Sequence, residues 1–186
     1  MWSSPVLLGR PNPAKLRART AGWRQVWVWL PAVIAVALIA TESTPVFSAD
    51  ATDKGLRPLV EHWTGHIDNN VWWWMHHLFR KGGHFAGFGL VCLAFMRAWL
   101  LTLGVRPGLG LRAWRLRSCL LGIACTTVVA SLDEWHQTFL PSRTGAFTDV
   151  VIDAAGATLM CILVWAVLWR EQTLHTADLS GEVETA

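Results

Sequence analysis

Charge is scarce in this chain and, where it occurs, it is sorted by sign. Only 16% of the 186 residues are charged, against 53% that are hydrophobic. That balance excludes an ordinary soluble domain and points to one small polytopic membrane protein. Acids are missing from residues 1–30, which carry Arg10, Lys15, Arg17, Arg19 and Arg24, and from 104–117, which carry Arg106, Arg112, Arg115 and Arg117. Cysteine is sparse: Cys92, Cys119, Cys125 and Cys161 fall inside apolar runs without metal-like spacing and read as small core residues. No phosphate loop, serine elbow, dinucleotide fingerprint or zinc-protease helix is found. Four spans without an inverted repeat or a broken helix pair also make a transporter the weakest reading.

What is present is a set of four apolar runs. The expected fold is all-α, with spans near 24–42, 83–103, 118–138 and 148–169 inside a membrane domain of residues 26–170. Short cytoplasmic loops concentrate Lys and Arg, so the basic tail of residues 1–25 and the 104–117 loop are expected inside. Anionic lipid explains that tail better than nucleic acid does. The acidic residues 171–186 form a second cytoplasmic tail. The first run also fits the template of a secretory signal peptide, and both readings export the segment after it.

The exported segment 42–83 carries four basic residues against five acids. Trp63, Ile67, Val71, Trp74 and Leu78 recur at helical spacing and, with the Trp72-Trp73-Trp74 run, predict an amphipathic helix in the outer interface. A helix packed on the bundle is the alternative. His62, His66, His76 and His77 lack a completing ligand pattern and read as solvated side chains, so no metal is expected. Gly83 and Gly87 form a small-xxx-small pair that predicts close approach of a neighbouring helix to Lys81 and His84.

The densest polar stretch is Asp133-Glu134-Trp135-His136-Gln137, with Arg143, Asp149 and Asp153 soon after it. Each ionisable group at a bilayer centre costs about 2.5–3.5 kcal/mol on insertion scales, so such residues face a bundle interior or a wet cavity. Asp133 lies on the order of 22 Å from the inner end of its helix, in the outer third of the bilayer. Asp133, His136 and Gln137, at i, i+3 and i+4, are expected to face inward together, with Glu134 on the flank. Thr148 is the expected cap of the last helix and Asp149 suits its first turn. Topology thus gathers Lys81, His84, Asp133, Glu134, His136, Gln137, Arg143, Asp149 and Asp153 at one depth.

Lys81 and His84 before a glycine-rich helix, the block Leu132-Asp133-Glu134-x-His136-Gln137-x-Phe139-x-Pro141-x-Arg143, and Asp149 with Asp153-x-x-Gly156 resemble the VanZ-like family of bacterial membrane proteins. Ser43-x-Pro45 after the first helix resembles that family's pattern too. Arg80, where the family often has an acid, and Asp153, where Asn is common, depart from it. The resemblance implies a four-helix protein of the bacterial inner membrane, in a family whose founding member is associated with low-level teicoplanin resistance.

The cluster admits three readings. In a binding or shielding protein, Lys81, His84, Gln137, Arg143, Asp149 and Asp153 hold a lipid-linked envelope precursor or an amphiphilic antibiotic, without a cofactor. In an enzyme, Asp133 or Glu134 is general base or nucleophile with His136 as acid/base partner; a metal on His84, His136 and the acids is a variant of this. In a purely structural network, Asp133–Lys81, Glu134–Arg143 and Asp153–His84 are latches.

Overall fold

A computed structural model describes residues 24–45, 48–103, 110–141 and 145–169. Nearly all of the basic tail, Arg143 and the acidic tail lie outside the described residues. Five helices run in order: α1 Arg24–Glu42, α2 Ala49–Thr64, α3 Asn69–Leu103, α4 Leu111–Gln137 and α5 Phe147–Leu163, the last continuing as a π-helical turn over Val164–Trp169. The described residues contain no strand. Four helices are long and apolar enough to cross a membrane: α1, α3, α4, and α5 with its π-turn.

α3 is the central post. It packs on α5, α4 and α1, and at 35 residues it is about 52 Å long, well beyond the roughly 30 Å of a bilayer core. Its start is fixed by Asp68, whose Oδ1 accepts the Asn70 amide at 2.8 Å. Two expectations are corrected here. The chain breaks at Gly65, whose φ of 81° suits a residue without Cβ; Trp63 therefore lies on a different helix from Val71, Trp74 and Leu78. The amphipathic helix is instead α2, opened by Ser48, whose Oγ accepts the Ala51 amide at 3.3 Å. Nor does Gly83 start a new helix, since α3 runs through it unbroken.

The glycines that admit neighbours also differ from the expected pair. A Cβ on Gly83 would meet nothing within 4 Å, and one on Gly87 would make ordinary contact with Ile39 of α1. A Cβ on Gly156 would instead lie 2.1 Å from the Phe85 carbonyl oxygen, and one on Gly89 would lie 3.3 Å from the Gly156 oxygen. These two glycines set the α3–α5 approach and thereby the distance between Lys81 and Asp149. Gly122 does the same for α4 against the Cys92–Met96 turn.

At the opposite end α1 is tied to α3. Gln25 and Trp29 both donate to Thr102 Oγ1, at 3.0 and 3.1 Å, and Arg97 Nη1 donates to the Val28 carbonyl at 3.2 Å. Below, Cys92, Met96, Leu100, Trp114, Cys119, Cys161 and Trp169 form the main apolar core. Cys92, Cys119 and Cys161 are thus packing residues, with Cys92 and Cys161 sulfurs 3.6 Å apart, while Cys125 is half-buried outside that core.

Candidate functional site

At the end of the bundle where α3 overhangs, a cavity of about 520 Å³ opens between α2, α3 and the facing ends of α4 and α5. α2 contributes Ala49, Asp53 and Arg57; α3 contributes Asn69, Trp72, Trp73, His76, His77, Arg80, Lys81 and His84; α4 gives Glu134 and Gln137, and α5 gives Asp149. α2 is attached to α3 through side chains. Trp72 Nε1 donates to Asp53, Thr52 Oγ1 meets His76 Nε2 at 3.0 Å, and Arg57 donates to Asn69 Oδ1 at 2.8 Å and to the Ile67 carbonyl at 3.1 Å. Arg57 also pairs with Glu61 at 3.0 Å. That guanidinium, with the Ile67 amide, holds the Glu61 carboxyl below its ordinary value.

Helical periodicity explains the α3 wall. Residues 76, 77, 80, 81 and 84 share one face at i, i+4 and i+8 spacing, so three imidazoles and two permanent cations form a single basic stripe along the cavity. Lys81 crosses the cavity to pair with Asp149 in the first turn of α5. Behind it, His84 Nδ1 stands 3.9 Å from Oδ1 of Asp153, a fully buried carboxyl.

The α4 acids divide their work. Asp133 accepts from Ser43 Oγ at the end of α1 and from Gln137 Nε2 at 2.8 Å. It is 8% exposed and lies behind the cavity, joining α1 to α4. Ser43, noticed in the sequence only for its resemblance to a family pattern, is therefore the partner of Asp133. Glu134 lines the cavity and is 5% exposed. Its Oε2 accepts the Ala146 amide at 2.8 Å, so it caps α5 from outside. This corrects the expected cap: Ala146 is the N-cap and Thr148 lies inside the helix. Gly145 permits the approach, because a Cβ there would meet the Glu134 carbonyl oxygen at 2.3 Å.

Two expected partnerships are not assembled. His136 is exposed and contributes nothing to the cavity lining. The inward face of α4 is Asp133, Glu134 and Gln137, because the helix end must satisfy Ser43 and Ala146 and this turns position 136 outward. The latch expected between Asp133 and Lys81 is likewise replaced by Asp133–Ser43 and Lys81–Asp149. The approach of His84 to Asp153 is as expected for that pair. Arg143, and so its pairing with Glu134, lies outside the described residues.

The lining sets cationic donors along α3 against carboxylates from α2, α4 and α5. Guanidinium, ammonium and imidazole donors suit phosphate, the Trp72 and Trp73 rings offer apolar faces, and Glu134 and Asp149 accept hydroxyl or ammonium protons. Asp53, Arg57, Arg80 and the histidines 76 and 77 entered the site unannounced. The signal that could have found the α3 members was the five-residue basic stripe. Among the described residues, no group of three or more His, Cys, Asp or Glu is placed to hold a metal ion.

These features define a multi-pass helical membrane protein with a polar cavity enclosed at one end of its bundle. The VanZ/LLP1 family model matches residues 26–170, most of the chain, and the chain belongs to that family. No curated protein and no solved structure matches it.

Proposed function

We propose that the cavity binds the phosphate-bearing headgroup of a membrane-anchored envelope lipid, and that the protein acts by holding or shielding it. One observation carries this: a 520 Å³ cavity lined by Arg57, Arg80, Lys81 and three imidazoles at the end of the bundle where α3 overhangs. A volume of that size suits a headgroup rather than a single ion. The charge pattern sets the orientation. All acids of the described helices lie toward the cavity end, while Arg97, Arg112, Arg115 and Arg117 lie toward the other. By the bias of basic residues to the cytoplasmic side, the cavity faces outward and both termini are cytoplasmic, in a bacterial inner membrane.

Shielding such a lipid is one route to the glycopeptide resistance associated with the family name, and an amphiphilic glycopeptide is the competing occupant. Native mass spectrometry of purified protein tests the reading. Joint Arg80→Gln and Lys81→Gln replacement is expected to reduce phospholipid adducts about tenfold, consistent with two charge-assisted hydrogen bonds of which part is recovered by water. His136→Ala, outside the cavity, leaves them as in wild type. Adducts that survive the double replacement overturn the reading. Glycopeptide susceptibility of a host carrying the same variants at equal abundance links the cavity to resistance.

A further inference from the structure

The two sides of the cavity differ in sign. Along α3 the lining is basic, with Arg80, Lys81 and His84 on one stripe, while α4 and α5 face it with Glu134 and Asp149. Lys81 satisfies Asp149. Glu134 is different: it is 95% withdrawn from solvent, lines the cavity, and among the described residues receives one hydrogen bond, from the Ala146 amide to Oε2. No described salt bridge reaches it. The start of α5 supplies the equivalent of about half a positive charge, short of a full counter-ion. A nearly buried carboxylate beside a cavity is costly unless a cation or further donors complete it.

We infer that the ligand is zwitterionic, its phosphate held by the basic stripe of α3 and its ammonium held by Glu134 Oε1 across the cavity. The class is an ethanolamine-type phospholipid headgroup. This rests on the headgroup reading above and narrows it: a purely anionic headgroup would leave Glu134 uncompensated and bring a second negative charge toward it.

The test compares dihexanoyl phosphatidylethanolamine with dihexanoyl phosphatidylglycerol on purified full-length protein by titration. They share the phosphodiester and differ in the ammonium. Wild type is expected to bind the ethanolamine lipid about tenfold tighter, the scale of one charge-assisted hydrogen bond. Glu134→Gln is expected to abolish that preference, weakening the ethanolamine lipid about tenfold and strengthening the glycerol lipid a fewfold. Equal affinities in wild type overturn the zwitterion and leave the phosphate reading standing. Failure of both lipids to bind overturns both. The wild-type ratio needs no variant, so it decides the matter even where Glu134→Gln does not fold. O-phosphoethanolamine separates a lipid from a free headgroup: affinity matching the lipid's supports the same ammonium and phosphate chemistry without acyl chains.

Discussion

The two ends of this bundle handle buried charge in opposite ways. At the cavity end, charges from different helices meet each other, Lys81 with Asp149 and His84 near Asp153, while Asp133 accepts from the neutral Ser43 and Gln137. At the other end, no acid is present among the described residues. There Arg97 donates to the Val28 carbonyl, and Arg115, 3% exposed, lies 4.8 Å from the Trp169 ring centre. One end is a network arranged around a cavity; the other fits cations to backbone oxygens and aromatic faces within a packed core. Burial of charge alone therefore does not mark a site. What distinguishes the cavity end is that its charges face a space large enough for another molecule.

The severest test of this contrast is steric. Gly156→Leu drives a side chain into the Phe85 carbonyl, 2.1 Å from where its Cβ would sit. Because backbone cannot yield as a flexible side chain does, we expect about 3 kcal/mol of destabilisation, the upper end for overpacking, and parting of α3 from α5. Loss of monodisperse protein in detergent, or a marked fall in its thermal midpoint, checks this. Retention of wild-type stability would mean that the helices can separate without harm.

Next in size is Asp133. Asp133→Ala strands Ser43 and Gln137 in a buried setting and is expected to cost about 2–4 kcal/mol, whereas Ser43→Ala removes one donor to a buried carboxylate and costs about 1.5–3 kcal/mol. Since Asp133 lies behind the cavity, lipid affinity of the surviving folded protein should move little in Ser43→Ala. A Ser43→Ala protein of normal stability that no longer binds lipid would place Asp133 in the binding machinery. The contrasting change is Arg115→Met. It removes a cation–π contact of about 1 kcal/mol at the end away from the cavity, and lipid binding should not change.

Fold class was legible because hydropathy reports spans directly, and the convergence of Lys81, His84, Glu134, Gln137 and Asp149 on one depth came from counting residues along them. The error at His136 shows the limit of such counting. Spacing of i, i+3 and i+4 defines an arc of helix, but whether that arc or the one holding Glu134 turns inward depends on Ser43 and Ala146, which reach α4 from other helices. The cavity wall from α2 was illegible for a related reason. Asp53 and Arg57 sit in a polar amphipathic segment with no motif, and only the reversal at Gly65 folds them back over α3. The close-approach glycines were misplaced because a small-xxx-small pair names a possible contact and not the partner; Gly156 acquires its role from Phe85 on α3.

The mildest change concerns that reversal and separates the roof of the cavity from its floor. Glu61 accepts from Arg57 Nε at 3.0 Å and from the Ile67 amide at 3.2 Å, clasping the end of α2 to the start of α3. Both favour the ionised carboxylate, so its value in the folded protein lies below its ordinary 4.5. The clasp's contribution is therefore fully present above about 4.5 and is lost as pH falls through the lowered folded value. The protection of α2 amides, with exchange rates corrected for the intrinsic pH dependence, should be flat from neutrality down to that range and then fall, while the spanning part of α3 stays protected. Glu61→Gln should show the quicker α2 exchange already at neutral pH and remove the acid step. An acid step that persists unchanged in Glu61→Gln would assign the loosening to another roof carboxylate, with Asp53 and its bond from Trp72 the first to replace.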